Sequence, residues 1–113
     1  MKRRLVIPIA IEADAGSDTK HELWTVDFPK VRTKEIELHF ESGVLNVLYA
    51  SLYYGDMKVA PRTGEWTSDG GRIVDYPDAL YFSGDRVLLR VRNTDTTNAH
   101  KLWGTLEVEV EEE

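Results

Sequence analysis

The three histidines, His21, His39 and His100, are the side chains best suited to binding a metal in a sequence without cysteine. His39 lies two residues from both Glu37 and Glu41, so on a β-strand these three side chains project from one face. Consecutive members of the set are about 7 Å apart, too far to share one ion unless another strand adds a ligand. A solvated strand face explains the same pattern. We therefore predict no metal site and no cofactor.

Catalytic motifs are absent from the sequence. It has no G-x-S-x-G elbow, no H-E-x-x-H, no P-loop and no G-x-G-x-x-G following a strand. Without cysteine there is neither a thiolate nucleophile nor a disulfide. The 20 Asp and Glu residues make chance carboxylate pairs inevitable, and a chain of 113 residues leaves little room for a glycosidase cleft. We predict that the protein is not an enzyme.

Aromatic and arginine side chains that the alternation places on the outer faces of strands are better candidates for a binding site than the histidines and carboxylates. These candidates are Trp103, Arg90, Arg92, Tyr49, Tyr53 and, in a long polar segment, Trp66. Trp103 alternates with Leu102 and Leu106, so we predict it on an outer face, beside Arg90 or Arg92 of the preceding strand. Arginine and aromatic residues together are enriched in protein interfaces, and exposed aromatic rings can also stack on sugars. Single exposed aromatic residues can also have no role. Of these three alternatives the sequence favours the protein interface.

Composition narrows the possible partners. Lys and Arg number 14 against 20 acidic residues, and the resulting formal charge of −6 argues against nucleic acid. No stretch reaches the roughly 20 apolar residues of a membrane-spanning helix. Basic residues before Leu5–Ile11 resemble a short signal peptide, but Pro8 and Glu12 favour a first β-strand instead. We expect one domain over residues 1–113, made in the cytoplasm.

The elements that must position these side chains are strands, because apolar residues alternate with polar ones along most of the chain. Ile36, Leu38 and Phe40 are the clearest example and are predicted to face a core. The segment Val44–Tyr54 also has leucines at helical spacing, but its Val and Tyr content favours a long strand. The predicted strands are Leu5–Ile11, Trp24–Phe28, Glu35–Glu41, Val44–Tyr54, Met57–Ala60, Ile73–Tyr76, Ala79–Phe82, Val87–Val91 and Leu102–Val110.

This pattern predicts an all-β fold, a single antiparallel β-sandwich of about eight strands with a jelly-roll-like layout. The ends of the chain support the layout. Arg3 and Arg4 open the first strand, and Glu111 to Glu113 close the last one. Antiparallel pairing of these two strands would bring opposite charges together.

The run Gly84–Thr94, a polar loop and the closing strand Leu102–Val110 resemble small single-sandwich virion proteins of bacterial and archaeal viruses. The resemblance concerns the strand layout and includes no diagnostic motif. It implies a structural or assembly module that associates with itself or with other structural proteins, in the virion if the source is viral. The alternative is a carbohydrate-binding module with an exposed Trp and Tyr platform.

Overall fold

A computed structural model describes residues 2–42 and 47–111 of the chain. Within these ranges the regular elements are nine strands, and no helix is formed. A helix long and apolar enough to cross a membrane is accordingly not found among these residues. The strands are β1 (Lys2–Ala13), β2 (Asp18–Thr25), β3 (Lys30–Phe40), β4 (Leu48–Tyr54), β5 (Met57–Ala60), β6 (Arg72–Asp75), β7 (Leu80–Phe82), β8 (Arg86–Asn93) and β9 (His100–Glu111).

The strands form two antiparallel sheets packed face to face. Sheet I has the order β1-β9-β3-β6, with β7 also pairing with β3, and sheet II has the order β2-β8-β4-β5. The chain crosses from one sheet to the other at most of its connections, so consecutive strands seldom lie side by side. This is the arrangement of a jelly roll, and the predicted all-β sandwich is confirmed.

The first and last described strands are neighbours, as their terminal charges predicted. All twelve residues of β1 pair with β9, from Lys2 opposite Glu111 to Ala13 opposite His100. The Arg4 guanidinium donates to the Glu107 carboxylate at 2.8 Å. Opposite charges therefore meet across this strand pair, although each such exposed ion pair contributes little to stability.

The core lies between the sheets and consists of the inward residues of each strand. Ile36, Leu38 and Phe40 are all 2% exposed or less, which confirms the predicted inner face of β3. Tyr81 is fully buried, and its hydroxyl donates to the Tyr53 carbonyl at 3.2 Å. Burial raises the pKa of the Tyr81 phenol, because the charged form would lose its hydration.

Strand boundaries differ from the sequence prediction at most strands, and β2 and β4 show two of the larger differences. The strand predicted over Trp24–Phe28 instead covers Asp18–Thr25, although Val26 remains buried. The strand predicted over Val44–Tyr54 begins at Leu48, and residues 43–46 lie outside the described part. The short strands predicted over Ile73–Tyr76 and Ala79–Phe82 are present as β6 and β7, which divide one edge of β3 by pairing with residues 36–39 and 30–32 respectively.

Candidate interaction surfaces

Trp103 lies on the outer face of sheet I. In register it stands between Ala10 of β1 and His39 of β3. Its side chain is 47% exposed, and the His39 ring stacks nearly parallel to it with centroids 6.1 Å apart. The predicted outer position is confirmed, because Leu102 and Leu106 on either side are buried.

Exposed apolar residues of β1 extend this surface. Leu5, Ile7, Ile9 and Ile11 point inward, so Val6, Pro8 and Ala10 face outward, and Val6 is 61% exposed. We call Val6, Pro8, Ala10 and Trp103 the Trp103 patch. A shallow depression next to the tryptophan is lined by Ala10, Ile11, Glu12, Lys101, Leu102 and Trp103. Contiguous exposed apolar surface of this kind is typical of interaction sites.

Ion pairs border the patch at both ends. At one end Arg4 pairs with Glu107, and the hydrogen bond between them raises the pKa of the arginine. At the other end Lys101 pairs with Glu12 at 3.7 Å. The patch is therefore an apolar strip between two exposed pairs of charges.

Glu37 and His39, two of the three residues weighed as metal ligands, interact with their own neighbours. The Arg72 guanidinium donates to the Glu37 carboxylate at 2.5 Å, and the His39 ring lies 3.2 Å from its other oxygen. These bonds lower the pKa of Glu37, with Arg72 the main cause. No group of three His, Asp or Glu residues in the described ranges is placed to hold a metal ion.

Tyr49 and Tyr53 lie on the outer face of sheet II, as predicted, with Leu48, Ala50 and Leu52 fully buried. Each ring carries a cation over its face. The Arg92 guanidinium lies 4.6 Å from the centre of the Tyr49 ring, and the Lys20 ammonium lies 4.5 Å from the centre of Tyr53. Such cation–π contacts stabilise the cation and occupy the ring face.

Arg90 and Arg92, the two arginines predicted on this face, are held by carboxylates. Arg90 donates to both oxygens of Asp18, at 2.7 and 2.5 Å, and Arg92 donates to both oxygens of Glu65. The hydrogen bond from Arg90 lowers the pKa of Asp18, and the same bond raises that of Arg90. Bidentate pairs of this kind fix the orientation of both side chains.

The prediction that Trp103 lies beside Arg90 or Arg92 is wrong. The arginines are on β8 in sheet II, whereas Trp103 is on β9 in sheet I. The chain crosses between the sheets after β8, so the two outer faces point in opposite directions.

Trp66, predicted as an exposed aromatic, is only 6% exposed. Its backbone pairs with Ala50 through two hydrogen bonds, which makes its segment a short neighbour of β4. The indole Nε1 donates to the Asp75 carboxylate on β6 at 2.9 Å. Trp66 therefore closes the core at one side of the sandwich, because the polar segment around it pairs with a sheet edge.

The structure also contains a cluster around His100 that was not predicted from the sequence. Its Nδ1 lies 2.7 Å from a Glu41 oxygen and its Nε2 lies 2.8 Å from an Asp95 oxygen. Asp95 also accepts the backbone N–H of Thr97 and of Asn98, and these bonds with that to His100 lower its pKa to about 2. The pKa of His100 is raised, mainly by Asp95. The turn-forming residues 93–98 signalled a loop, but nothing local placed Glu41 beside it.

Comparisons with known proteins identify the fold and no family. Neither a protein-family model nor a curated protein matches the chain. Among solved structures, a chain in the structure of infectious bursal disease virus, Gt strain, aligns with 96% of this chain at a TM-score of 0.51 and 15% identity. The present chain spans 32% of that viral chain. At this identity the likeness shows a shared fold alone.

Proposed function

We propose that this protein is a non-enzymatic structural module of the virion type, which associates with copies of itself or with other structural proteins through the Trp103 patch. The observation that carries the proposal is the patch itself. Trp103 and Val6 are 47% and 61% exposed on the same outer face of sheet I. Tryptophan is one of the residues enriched among interface hot spots.

The fold supports a structural role. The jelly roll aligns almost throughout with part of a chain from a virus structure. A shared fold does not by itself indicate function, so the proposal depends on the exposed residues of the Trp103 patch. The non-enzymatic character is proposed because the charged groups of both outer faces pair with one another, as Glu37 does with Arg72 and Asp18 with Arg90.

Carbohydrate binding is the competing function, but the outer face of sheet II has few aromatic ring faces open to a sugar. A stacking platform needs open ring faces, but Arg92 covers Tyr49 and Lys20 covers Tyr53. Trp66, the third aromatic expected to contribute, is buried. Of the four aromatic residues predicted to bind, Trp103 remains a candidate for a sugar contact, so one substitution tests both functions.

The test is light scattering coupled to size exclusion, over a range of protein concentrations, for the wild type and Trp103→Ala. We expect the wild type to form oligomers at micromolar concentration. Loss of the indole should weaken association by about 2 kcal/mol, or roughly thirtyfold. Met57→Ala is the matched control, because Met57 is 61% exposed on β5 of the other sheet and should leave association unchanged.

Two results would contradict the proposal. The first is a strictly monomeric wild type at high micromolar concentration. The second is a Trp103→Ala variant that keeps the wild-type mass but is no longer retained by a polysaccharide affinity gel, which would establish the sugar-binding alternative. Thermal unfolding of the variant should remain close to that of the wild type, since the side chain is on the outer face.

A further inference from the structure

The charges at the two ends of the Trp103 patch are arranged with opposite polarity. At one end the cation, Arg4, is on β1 and the anion, Glu107, is on β9. At the other end the anion, Glu12, is on β1 and the cation, Lys101, is on β9. The cause is antiparallel pairing of two strands that both run from a basic end to an acidic end.

The side chains of the patch also differ in size between β1 and β9. Trp103 projects from β9, and directly opposite it on β1 is Ala10, beside the shallow depression. A large side chain and a small one thus lie on the two sides of a line that runs between β1 and β9, parallel to the strands.

Resting on the proposed self-association, we infer that a second copy docks face to face on this patch, related by a two-fold axis along that line. The rotation places β1 of each copy over β9 of the other. Trp103 then enters the depression at Ala10 of the second copy, and the same contact occurs twice, as an isologous interface requires. Two sheets packed this way keep their strands within about 30° of parallel.

The same rotation places opposite charges of the two copies against each other. The rotation places each residue of β1 over its register partner on β9 of the other copy, so Glu12 comes to lie over Lys101 and Arg4 over Glu109. Opposite charges therefore face each other at both ends of the interface. At the Glu12 end four charges of alternating sign meet, and the ion pair within each chain is duplicated between chains. Complementary charge of this kind selects one orientation of docking over others.

Pro8 favours docking on the face over pairing along the free edge of β1. Among the described strands β1 has only β9 as a sheet neighbour, so its other edge is open. Pro8, in the middle of β1, has no N–H to donate to an added strand. An edge-to-edge ladder would therefore be interrupted at its centre, whereas side-chain packing on the face would not be.

The test mixes two charge-reversed variants, Glu12→Lys and Lys101→Glu. Alone, each variant places like charges against each other in both copies, and we expect its dimer to dissociate about tenfold more readily or worse. Mixed in equal amounts, they should regain association at least as tight as that of the wild type, because lysines on one copy face glutamates on the other. Sedimentation equilibrium measures all three samples.

Mixing isolates the contact between chains, because each variant keeps its own disturbed pair within the chain. Arg86→Glu and Glu22→Arg serve as the matched control: these residues form an exposed ion pair on sheet II, and reversing either should not alter association. Circular dichroism establishes that each variant is folded before association is measured.

Ala10→Leu gives an independent readout of the packing. It adds apolar area to the patch but fills the depression, so we expect weaker association, again by about tenfold. If Ala10→Leu strengthens association, or if the mixed charge variants stay dissociated while the wild type associates, this docking geometry is wrong and the proposed function stands. A monomeric wild type would instead refute the proposed function itself.

Discussion

Gly104→Ala should severely destabilise the fold, although it adds a single methyl group. Gly104 lies in the middle of β9, between Ile9 of β1 and Leu38 of β3. A Cβ atom at this position would lie 2.8 Å from the Glu37 carbonyl carbon and 3.1 Å from the Leu38 Cα, and closer still to the Glu37 carbonyl oxygen. The obstacle is backbone, which cannot rotate away as a flexible side chain would.

The cost follows from the movement needed. Optimal carbon–carbon contact is at about 3.5–4.0 Å, so β3 and β9 must separate by roughly 0.7 Å even to relieve the carbon contact. Leu38 and Leu106 on the inner face nearby are fully buried, and the separation would disturb their packing as well. We expect a loss of about 3 kcal/mol. For a domain of this size that corresponds to a fall in melting temperature of about 12 °C or more.

Thermal unfolding followed by circular dichroism measures this loss. Gly64→Ala is the control, because a Cβ there would meet no atom within 4 Å and the cost is limited to its backbone φ of +71°. That strain is worth about 1–2 kcal/mol. If Gly104→Ala melts within a few degrees of the wild type, the close approach of β3 to β9 is not as described, and the reasoning fails.

Three further outcomes can be measured on single variants. Phe40→Ala should cost about 2–5 kcal/mol in urea unfolding, whereas Glu37→Ala, on the outer face and half-buried, should cost under about 1 kcal/mol; equal losses would mean that the faces of β3 are reversed. His100→Gln should remove a pH-dependent contribution. The pKa of His100 is raised in the folded state, so its stabilisation is complete below the unfolded value of about 6.5 and is lost as pH rises through the folded value. Melting temperatures of the wild type and variant should therefore converge as the pH rises above about 6.5, and a constant difference would contradict the assignment. Ser51→Ala should be neutral or slightly stabilising, because the Ser51 hydroxyl is the one buried side-chain polar atom in the described residues without a hydrogen bond; a loss above about 1 kcal/mol in the same urea assay would disprove this.

The alternation of apolar and polar residues was enough to predict which face of most strands is buried. Phe40 and Leu102 face the core, and Tyr49 and Trp103 face outward, as their phase indicated. The reason is local: successive side chains of a strand point to opposite faces wherever the strand lies in the fold. Terminal charge also sufficed to pair β1 with β9, because this pairing depends on two segments alone.

Only the tertiary structure decided which of the other segments lie next to one another. Arg92 and Trp103 are close in sequence, yet the chain changes sheets between them and their side chains lie on opposite outer faces. Trp66 is buried because its segment pairs with β4 and its indole reaches Asp75, and His100 meets Glu41 across 59 residues of chain. Which face of a strand is apolar depends only on the residues of that strand. Which sheet the strand joins depends on how all the strands together bury their apolar faces.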